Sequence, residues 1–460
     1  MNYKVPLRDI KFVREEVLDM STHYNKFTKG QAAEPDLVEA ILEEAAKFCE
    51  NELVPLNKVG DEEGCHFKNG EVTTPKGFKE TYKDFIANGW PGLTAPTEYG
   101  GQGLPESIGL TFMEMLISSN HSWSMYPGLT LGAIKTVYSH ATQDIKDRFM
   151  PPMVSGDWTG TMCLTEPHCG SDLGLLKSYA VADDDSDEDG AYKISGSKIF
   201  ISSGEHDMAD NIMHIVLARL PDAPAGIKGI SLFLVPKVLV NKDGSLGERN
   251  TVTCGSIEEK MGIHGNSTCV MNFDDAKGYL ISEPNKGMRA MFTFINESRL
   301  GVGTTGIQGL DLLGRKILKT RGAAIKPLME LFDEFVSENR WNKHGRRFKS
   351  YLKKWKSLTR SVGFKVMKGD MDELNGAAVE YLMFAGYVTL GYFWSKAAII
   401  SEQAIEKADG NENFYRAKIE TANFYYERLM PRADALIESI GNGADSMMAM
   451  DVDNFIFFDS

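Results

Sequence analysis

Two segments of the chain carry residue types that could hold a flat, charged cofactor. The first is Met162-Cys163-Leu164-Thr165-Glu166-Pro167-His168-Cys169-Gly170-Ser171-Asp172-Leu173-Gly174, and the second is Lys198-Ile199-Phe200-Ile201-Ser202-Ser203-Gly204. The first reads as a strand running into a tight turn, whose glycines let backbone amides approach a ligand closely. The second reads as a strand that places Phe200 and Ser202 on one face by the two-residue period. A heteroaromatic ring needs such a site, with an aromatic or apolar wall and a few polar groups at its edge. The same strings also fit plain turn chemistry, and the residues by themselves leave both readings open.

Two other clusters invite a metal. Cys163, His168 and Cys169 lie close in sequence, but zinc sites use three or four ligands in paired short spacings and no second pair occurs, so core thiols and a turn histidine are the better account. Asp185, Asp187, Asp189 and Gly190 open like a calcium loop, yet its twelfth position is Gly196 where a carboxylate belongs. A solvated hairpin turn fits better. No GxSxG, HExxH, Walker A or Rossmann glycine pattern is present, which leaves hydrolase, zincin, NTPase and NAD-enzyme readings without support.

The elements that must position these segments change period twice. Residues 1–157 read as helical, with apolar positions at three and four (Leu37, Ile41, Ala45, Phe48, Leu53). From Trp158 to about Ser282, short β-rich runs alternate with turn residues. From Met288 onward the pattern is helical again. The expected fold is mostly α with a central all-β domain. The basic segment Arg340–Lys368 holds eleven Lys and Arg residues and no carboxylate, with Phe348, Leu352 and Trp355 at helical spacing. It could lie on an anionic membrane, but a solvated helix face with acidic neighbours is favoured.

Composition bounds the rest. A chain of 460 residues, 42% hydrophobic and 25% charged, has two to four structural units and an ordinary globular balance. Six scattered cysteines without a CxxC motif read as reduced thiols, and no apolar run approaches a membrane span, so a cytoplasmic location is expected. The net charge of −14 argues against general nucleic-acid binding.

CLTEPHCGSDLG followed by GSKIFISSG is similar to the paired flavin motifs of the acyl-CoA dehydrogenase family. TAPTEYGGQGLP, KMGIHGNSTC and NKGMRAMFTFINESRLGVG follow in the family's order, and both termini resemble the branch with extra terminal helices that includes 3-methylmercaptopropionyl-CoA dehydrogenases. The resemblance implies an N-terminal helical domain over 1–157, a barrel-like β domain over 158–284, a remnant of the central helical bundle over 285–318 and a C-terminal helical extension over 319–460. It implies an FAD-dependent oxidoreductase of fatty-acid metabolism that oxidises a short or medium acyl-CoA at its α,β bond. Electrons would pass to an electron-transfer flavoprotein, and the protein would be a homo-oligomer if the bundle is intact. By the same resemblance, Met162, Leu164 and Thr165 line the flavin's pyrimidine edge, and Gly170 and Ser171 approach its phosphates, Ser171 also the acyl-CoA. Phe200, Ile201, Ser202 and Thr304 complete the cofactor site, with Ser202 at flavin N5, and Arg299 holds the CoA moiety.

The chain departs from the family in one place. Arg299-Leu300-Gly301-Val302-Gly303 runs straight into Thr304-Thr305-Gly306-Ile307-Gln308-Gly309, where relatives insert bundle helices and a YEGT motif. Four such helices need roughly 100 residues. Val302 then stands at the position of the catalytic glutamate, and valine cannot accept a proton. Glu297 is the nearest carboxylate, with nothing in its spacing to recommend it. The departure could be a sequence error, a natural deletion or a deliberate cut. A catalytically dead flavin- or CoA-binding protein, or a flavin oxidase or monooxygenase on the same scaffold, is therefore the competing reading.

Overall fold

The computed structural model describes residues 3–27, 33–184, 186, 190–302 and 306–450. It forms two compact units, one of Met1–Ile10 with Ser21–Gly303 and one of Lys11–Met20 with Thr304–Ser460. The acidic run at Asp185, Asp187 and Asp189 lies outside the described residues, as does Thr304. Among the described residues no helix is long and apolar enough to cross a membrane.

The first unit opens with helices Pro35–Phe48 and Val54–Glu63, joined by a π-type turn at Cys49–Leu53. Proline at a first helical turn costs no hydrogen bond, and Val38, Leu42 and Ala45 bury one face. Helices Phe78–Ala87, Glu106–Ser119, His121–His140 and Gln143–Ser155 follow. The expectation of an all-helical segment up to residue 157 misses one hairpin, β1 (His66–Lys68) and β2 (Glu71–Thr73). Asn69 and Gly70 form its two-residue turn, with φ of 54° and 84°. Asn-Gly is the pair that such a turn demands, so the signal was present in the sequence.

The β region comprises β3 (Trp158–Cys163), β4 (Tyr179–Ala182), β5 (Ala191–Ser202), β6 (Asn211–Arg219), β7 (Ile230–Pro236), β8 (Val238–Val240), β9 (Leu246–Arg249), β10 (Val252–Ile257) and β11 (Thr268–Ile281). The pairing path β11-β5-β4-β6-β7 returns to β11, which closes five strands on themselves, while β3 and β10 extend the sheet and β8 pairs β9. β6 and β7 are buried on both faces. Met213, Ile215, Leu217, Ile230, Leu232 and Leu234 join the core shared with the helices. Val216, Ala218, Phe233 and Val235 fill the opposite side. Two covered faces explain why both strands read as continuous apolar runs rather than alternating ones.

Glycines set the approach of the helices to this sheet. A Cβ on Gly160 of β3 would stand 2.4 Å from Ala133 Cβ, and the Gly160 N–H donates to Thr130 Oγ1 at 3.0 Å. A Cβ on Gly132 would meet the Phe294 ring at 2.7 Å, so helix Gly287–Val302 seats directly on helix His121–His140.

A buried ion pair fixes the turn after β3. Lys198 Nζ donates to Glu166 Oε1 at 2.8 Å and to the Leu164 carbonyl at 3.2 Å, while the Lys177 and Ser178 amides donate to the two Glu166 oxygens. Burial alone would raise the Glu166 pKa, but the Lys198 charge and these hydrogen bonds outweigh it and hold the carboxyl down at about 2. Burial pushes the Lys198 pKa down despite Glu166.

The second unit packs helices Lys326–Glu338, Lys343–Met367, Met371–Glu406, Glu412–Phe424 and Pro431–Gly441. Phe348, Leu352 and Trp355 of the basic segment point into its core, where Trp355 Nε1 donates to the Tyr381 hydroxyl at 2.8 Å. Lys354 pairs with Asp434 and Lys365 with Glu373. Phe348, Leu352 and Trp355 are therefore core side chains rather than a face offered to lipid, as a solvated helix with acidic neighbours requires.

Glu166→Gln leaves Lys198 buried without a countercharge, and the expected loss is about 3–5 kcal/mol, read as a lower urea midpoint. Adding Lys198→Met to that variant should recover much of the loss. Because the Glu166 pKa is depressed, its contribution is complete above the ordinary carboxylate range and disappears as pH falls towards about 2. A Glu166→Gln midpoint equal to wild type would show that the pair does not hold the turn.

Candidate functional site

The fold brings the two chemistry-bearing segments into direct contact. The Ile199 amide donates to the Thr165 carbonyl at 2.9 Å, and Thr161 Oγ1 donates to the Ser202 carbonyl at 2.6 Å. The turn after β3 is thus laid across the end of β5. Met162 and Leu164 are partly buried and pack against the same core as Leu129 and Ile295. Thr165 is half-buried, and Gly170 and Ser171 are exposed on the turn. A Cβ on Gly170 would approach the Thr165 methyl to 3.2 Å, so this glycine keeps the turn tight.

The strand alternation breaks just before Phe200. Lys198 and Ile201 are both buried, three residues apart, and the β5–β11 register shifts between Met271↔Lys198 and Cys269↔Ile201. The extra residue in β5 is a bulge, and Phe200 adopts φ of 59°, which is strained for a bulky side chain. The bulge turns Phe200 outward: it is 52% exposed, while Ile201 is buried and Ser202 half-buried, so the alternation resumes from Phe200 to Ser202. Lys260 Nζ lies 5.4 Å from the Phe200 ring centroid, a neighbour that no local pattern suggests. An outward aromatic, a hydroxyl two residues on and a glycine turn against them fit the wall and polar edge of a flavin site.

Helix Gly287–Val302 carries the remaining residues. Arg299 sits in its last turn, where its positive charge suits the carbonyl end. Its Nη1 donates to Asn296 Oδ1 at 3.4 Å, and its guanidinium lies 5.8 Å from the Phe292 ring centroid. The backbone of Val302 ends this helix. Glu297 pairs with Lys135 at 2.7 Å, and Lys135 also pairs with Glu106. Glu297 borders a cleft of about 80 Å³ whose apolar wall is formed by Leu110, Met113, Ile117, Met125, Leu129 and Leu131.

The sulfur and imidazole groups divide. Cys163 is buried with its Sγ 3.9 Å from His214 Nδ1, on a strand rather than on the turn. Glu166, His168 and Cys169 do bring ligand atoms within 4.8 Å of one another, but the Glu166 carboxylate is already engaged by Lys198 and two amides. Burial, followed by the charge of Lys237, pushes the pKa of both His206 and His214 down to about 3, so both rings are neutral near pH 7.

Comparison with known proteins matches three consecutive models. These are the acyl-CoA dehydrogenase N-terminal domain over residues 36–157, its middle domain over 161–276, and the acetyl-CoA dehydrogenase C-terminal-like domain over 328–451. The chain is 42% identical over 307 residues to a 3-methylmercaptopropionyl-CoA dehydrogenase of Ruegeria pomeroyi, a match covering 67% of this chain and 51% of that protein. It is 40% identical over 318 residues to a butyryl-CoA dehydrogenase of Syntrophomonas wolfei, covering 66% and 51%. Among solved structures, butyryl-CoA dehydrogenase from Megasphaera elsdenii aligns at a TM-score of 0.48 and 20% identity, over 89% of this chain and 98% of that one. The chain spans about half the length of the curated relatives it matches. With helical N- and C-terminal domains around a middle β domain, the chain belongs to the acyl-CoA dehydrogenase family.

Proposed function

We propose that the chain binds FAD and a short or medium acyl-CoA thioester, in the manner of an acyl-CoA dehydrogenase that passes electrons to an electron-transfer flavoprotein. The observation that carries this reading is the contact between the turn at Thr165 and the strained bulge at Phe200. A bulky residue held at positive φ persists only where its surroundings enforce it, and such strain clusters at ligand sites. The 3-methylmercaptopropionyl-CoA and butyryl-CoA dehydrogenases among the relatives support a short acyl group, 3-methylmercaptopropionyl-CoA being one candidate.

Each residue has a part in that reading. Met162, Leu164 and Thr165 line one edge of the ring, Phe200 supplies its wall beside the Ile201 backbone, and Gly170 and Ser171 leave room for phosphate. Thr304 would join them. FAD, when bound, supplies a hydride acceptor at N5, and the Ser202 hydroxyl would donate to that edge. The Arg299 fork of donors suits a CoA phosphate. The apolar cleft beside Glu297 can take an acyl chain and exclude water.

By the family resemblance Val302 takes the position of the glutamate, and Glu297, the nearest carboxylate in sequence, is already committed to Lys135. A positioned general base is worth about 10²–10⁴ in rate. Binding without turnover is therefore the second reading, and the valine favours it.

Two measurements test these readings. Purified protein titrated with FAD should quench flavin fluorescence, and Ser202→Ala should slow flavin reduction more than it weakens binding. Failure to bind FAD would end the cofactor assignment. Anaerobic mixing with a panel of acyl-CoA thioesters should bleach the flavin at least about 10²-fold more slowly than in a full-length relative, with dithionite reduction intact. Rapid bleaching by any thioester, abolished by Glu297→Gln, would instead make Glu297 the base.

A further inference from the structure

Three of the six cysteines, Cys163, Cys254 and Cys269, share one buried cluster inside the β region, and Cys65 packs against it. Two of them face each other. In the antiparallel pairing of β10 with β11, Cys254 stands opposite Met271, two residues from Cys269, so both thiols point to the same interior. The register shift between Cys254 and Ser256 puts an extra residue into β10, and such a bulge bends the strand that carries it. The two sulfurs come within hydrogen-bonding reach of each other. The Ser256 carbonyl lies 3.3 Å from Cys254 Sγ as a second acceptor. Cys163 Sγ instead lies 3.9 Å from His214 Nδ1, and Cys65 Sγ 3.7 Å from the Tyr126 hydroxyl.

The pair is chemically unequal. The hydrogen bond from Cys254 outweighs burial and holds the Cys269 pKa below the ordinary thiol range. The same contact, together with burial, pushes Cys254 up. Burial raises the other four thiols, Cys49 and Cys65 up to about 12. Cys269 is therefore the thiol that ionises most readily, and thiolates are the species that attack oxidants. Beside it stands the second thiol that turns an oxidised sulfur into a disulfide. β10 is the edge of its sheet, and Gly255 and Ser256 next to Cys254 are exposed, so a molecule as small as a peroxide has a short way in.

We propose that Cys254 and Cys269 are a peroxide-sensitive dithiol that closes to a reversible disulfide. The Cys269 thiolate attacks one peroxide oxygen, the O–O bond breaks, and the departing hydroxide takes back the proton that Cys269 released and leaves as water. The Cys254 thiol then attacks the sulfur of the Cys269 sulfenic acid. The S–S bond forms, the S–O bond breaks, and the second water departs with the Cys254 proton. The two thiols lose two electrons and two protons in all, and one peroxide is reduced to two waters. Cys269 pairs with Ile201 and Thr268 with Ser202, so the bridge ties the edge of the sheet to the strand beside the Phe200 bulge. It does not rest on the flavin reading, because its readout is a covalent bond.

The test exposes the full chain to hydrogen peroxide at neutral pH, alkylates it with iodoacetamide in urea, and maps a digest made without reductant by mass spectrometry. One Cys254–Cys269 peptide pair is expected, released by dithiothreitol, with the other four cysteines alkylated. Cys254→Ser should leave Cys269 as a sulfenic acid that dimedone traps, and Cys269→Ser should slow oxidation of Cys254 at least about tenfold. Cys65→Ser and Cys163→Ser should leave the link intact. The map of the unaltered chain decides even where a buried serine impairs folding. Six alkylated cysteines after peroxide overturn the proposal. So does a bond from Cys269 to Cys65 or Cys163, or a link that forms no faster in the folded chain than in urea.

Discussion

Most of what the candidate site can do traces back to one buried ion pair. Lys198 is fully buried on β5, and Glu166 lies thirty-two residues earlier on the turn after β3. Two charges removed from water are tolerable only when each satisfies the other and the spare oxygens find donors, and here the Lys177 and Ser178 amides provide them. The turn is therefore clamped at both ends of its reach. Thr165 is pressed to Ile199, and Gly170, Ser171 and Asp172 are left to face outward while Leu173 returns to the core. Without the clamp, the bulge at Phe200 would have nothing against which to hold its strained φ.

The order of helices, strands and helices was legible because apolar periodicity records which faces are covered. β6 and β7 read as unbroken apolar runs for the reason the sheet shows, since both of their faces are packed. The hairpin at Asn69-Gly70 was equally legible, and it escaped only because the helical pattern around it is long. Phe200 was not legible. A bulge depends on register against β11, a strand some seventy residues later, and no local pattern reports it. The same holds for Lys198, a residue type that ordinarily marks the solvent side of a strand.

The basic helix makes the reverse point. Its sequence offered two environments for Phe348, Leu352 and Trp355, and composition could not choose between them. Core partners contributed by helices far along the chain decide the matter, together with acids such as Asp434 that pair its cations. Charge density told what the exposed face looks like and nothing of what lies beneath the other.

The short segment Lys11–Met20 belongs to the second unit although residues on both sides of it belong to the first. Phe12 and Val17 pack with Ala397, Ala404 and Tyr415, and the Tyr415 hydroxyl donates to Glu16 Oε2 at 2.9 Å across 399 positions of sequence. On a ribosome adding roughly 5–20 residues per second, this piece waits on the order of 20–80 s for its partners. The second unit is therefore completed by a strap made some four hundred residues earlier. A chain interrupted anywhere before residue 397 carries two unsatisfied aromatic and aliphatic side chains at its front, a mark of incompleteness that a chaperone or protease can read.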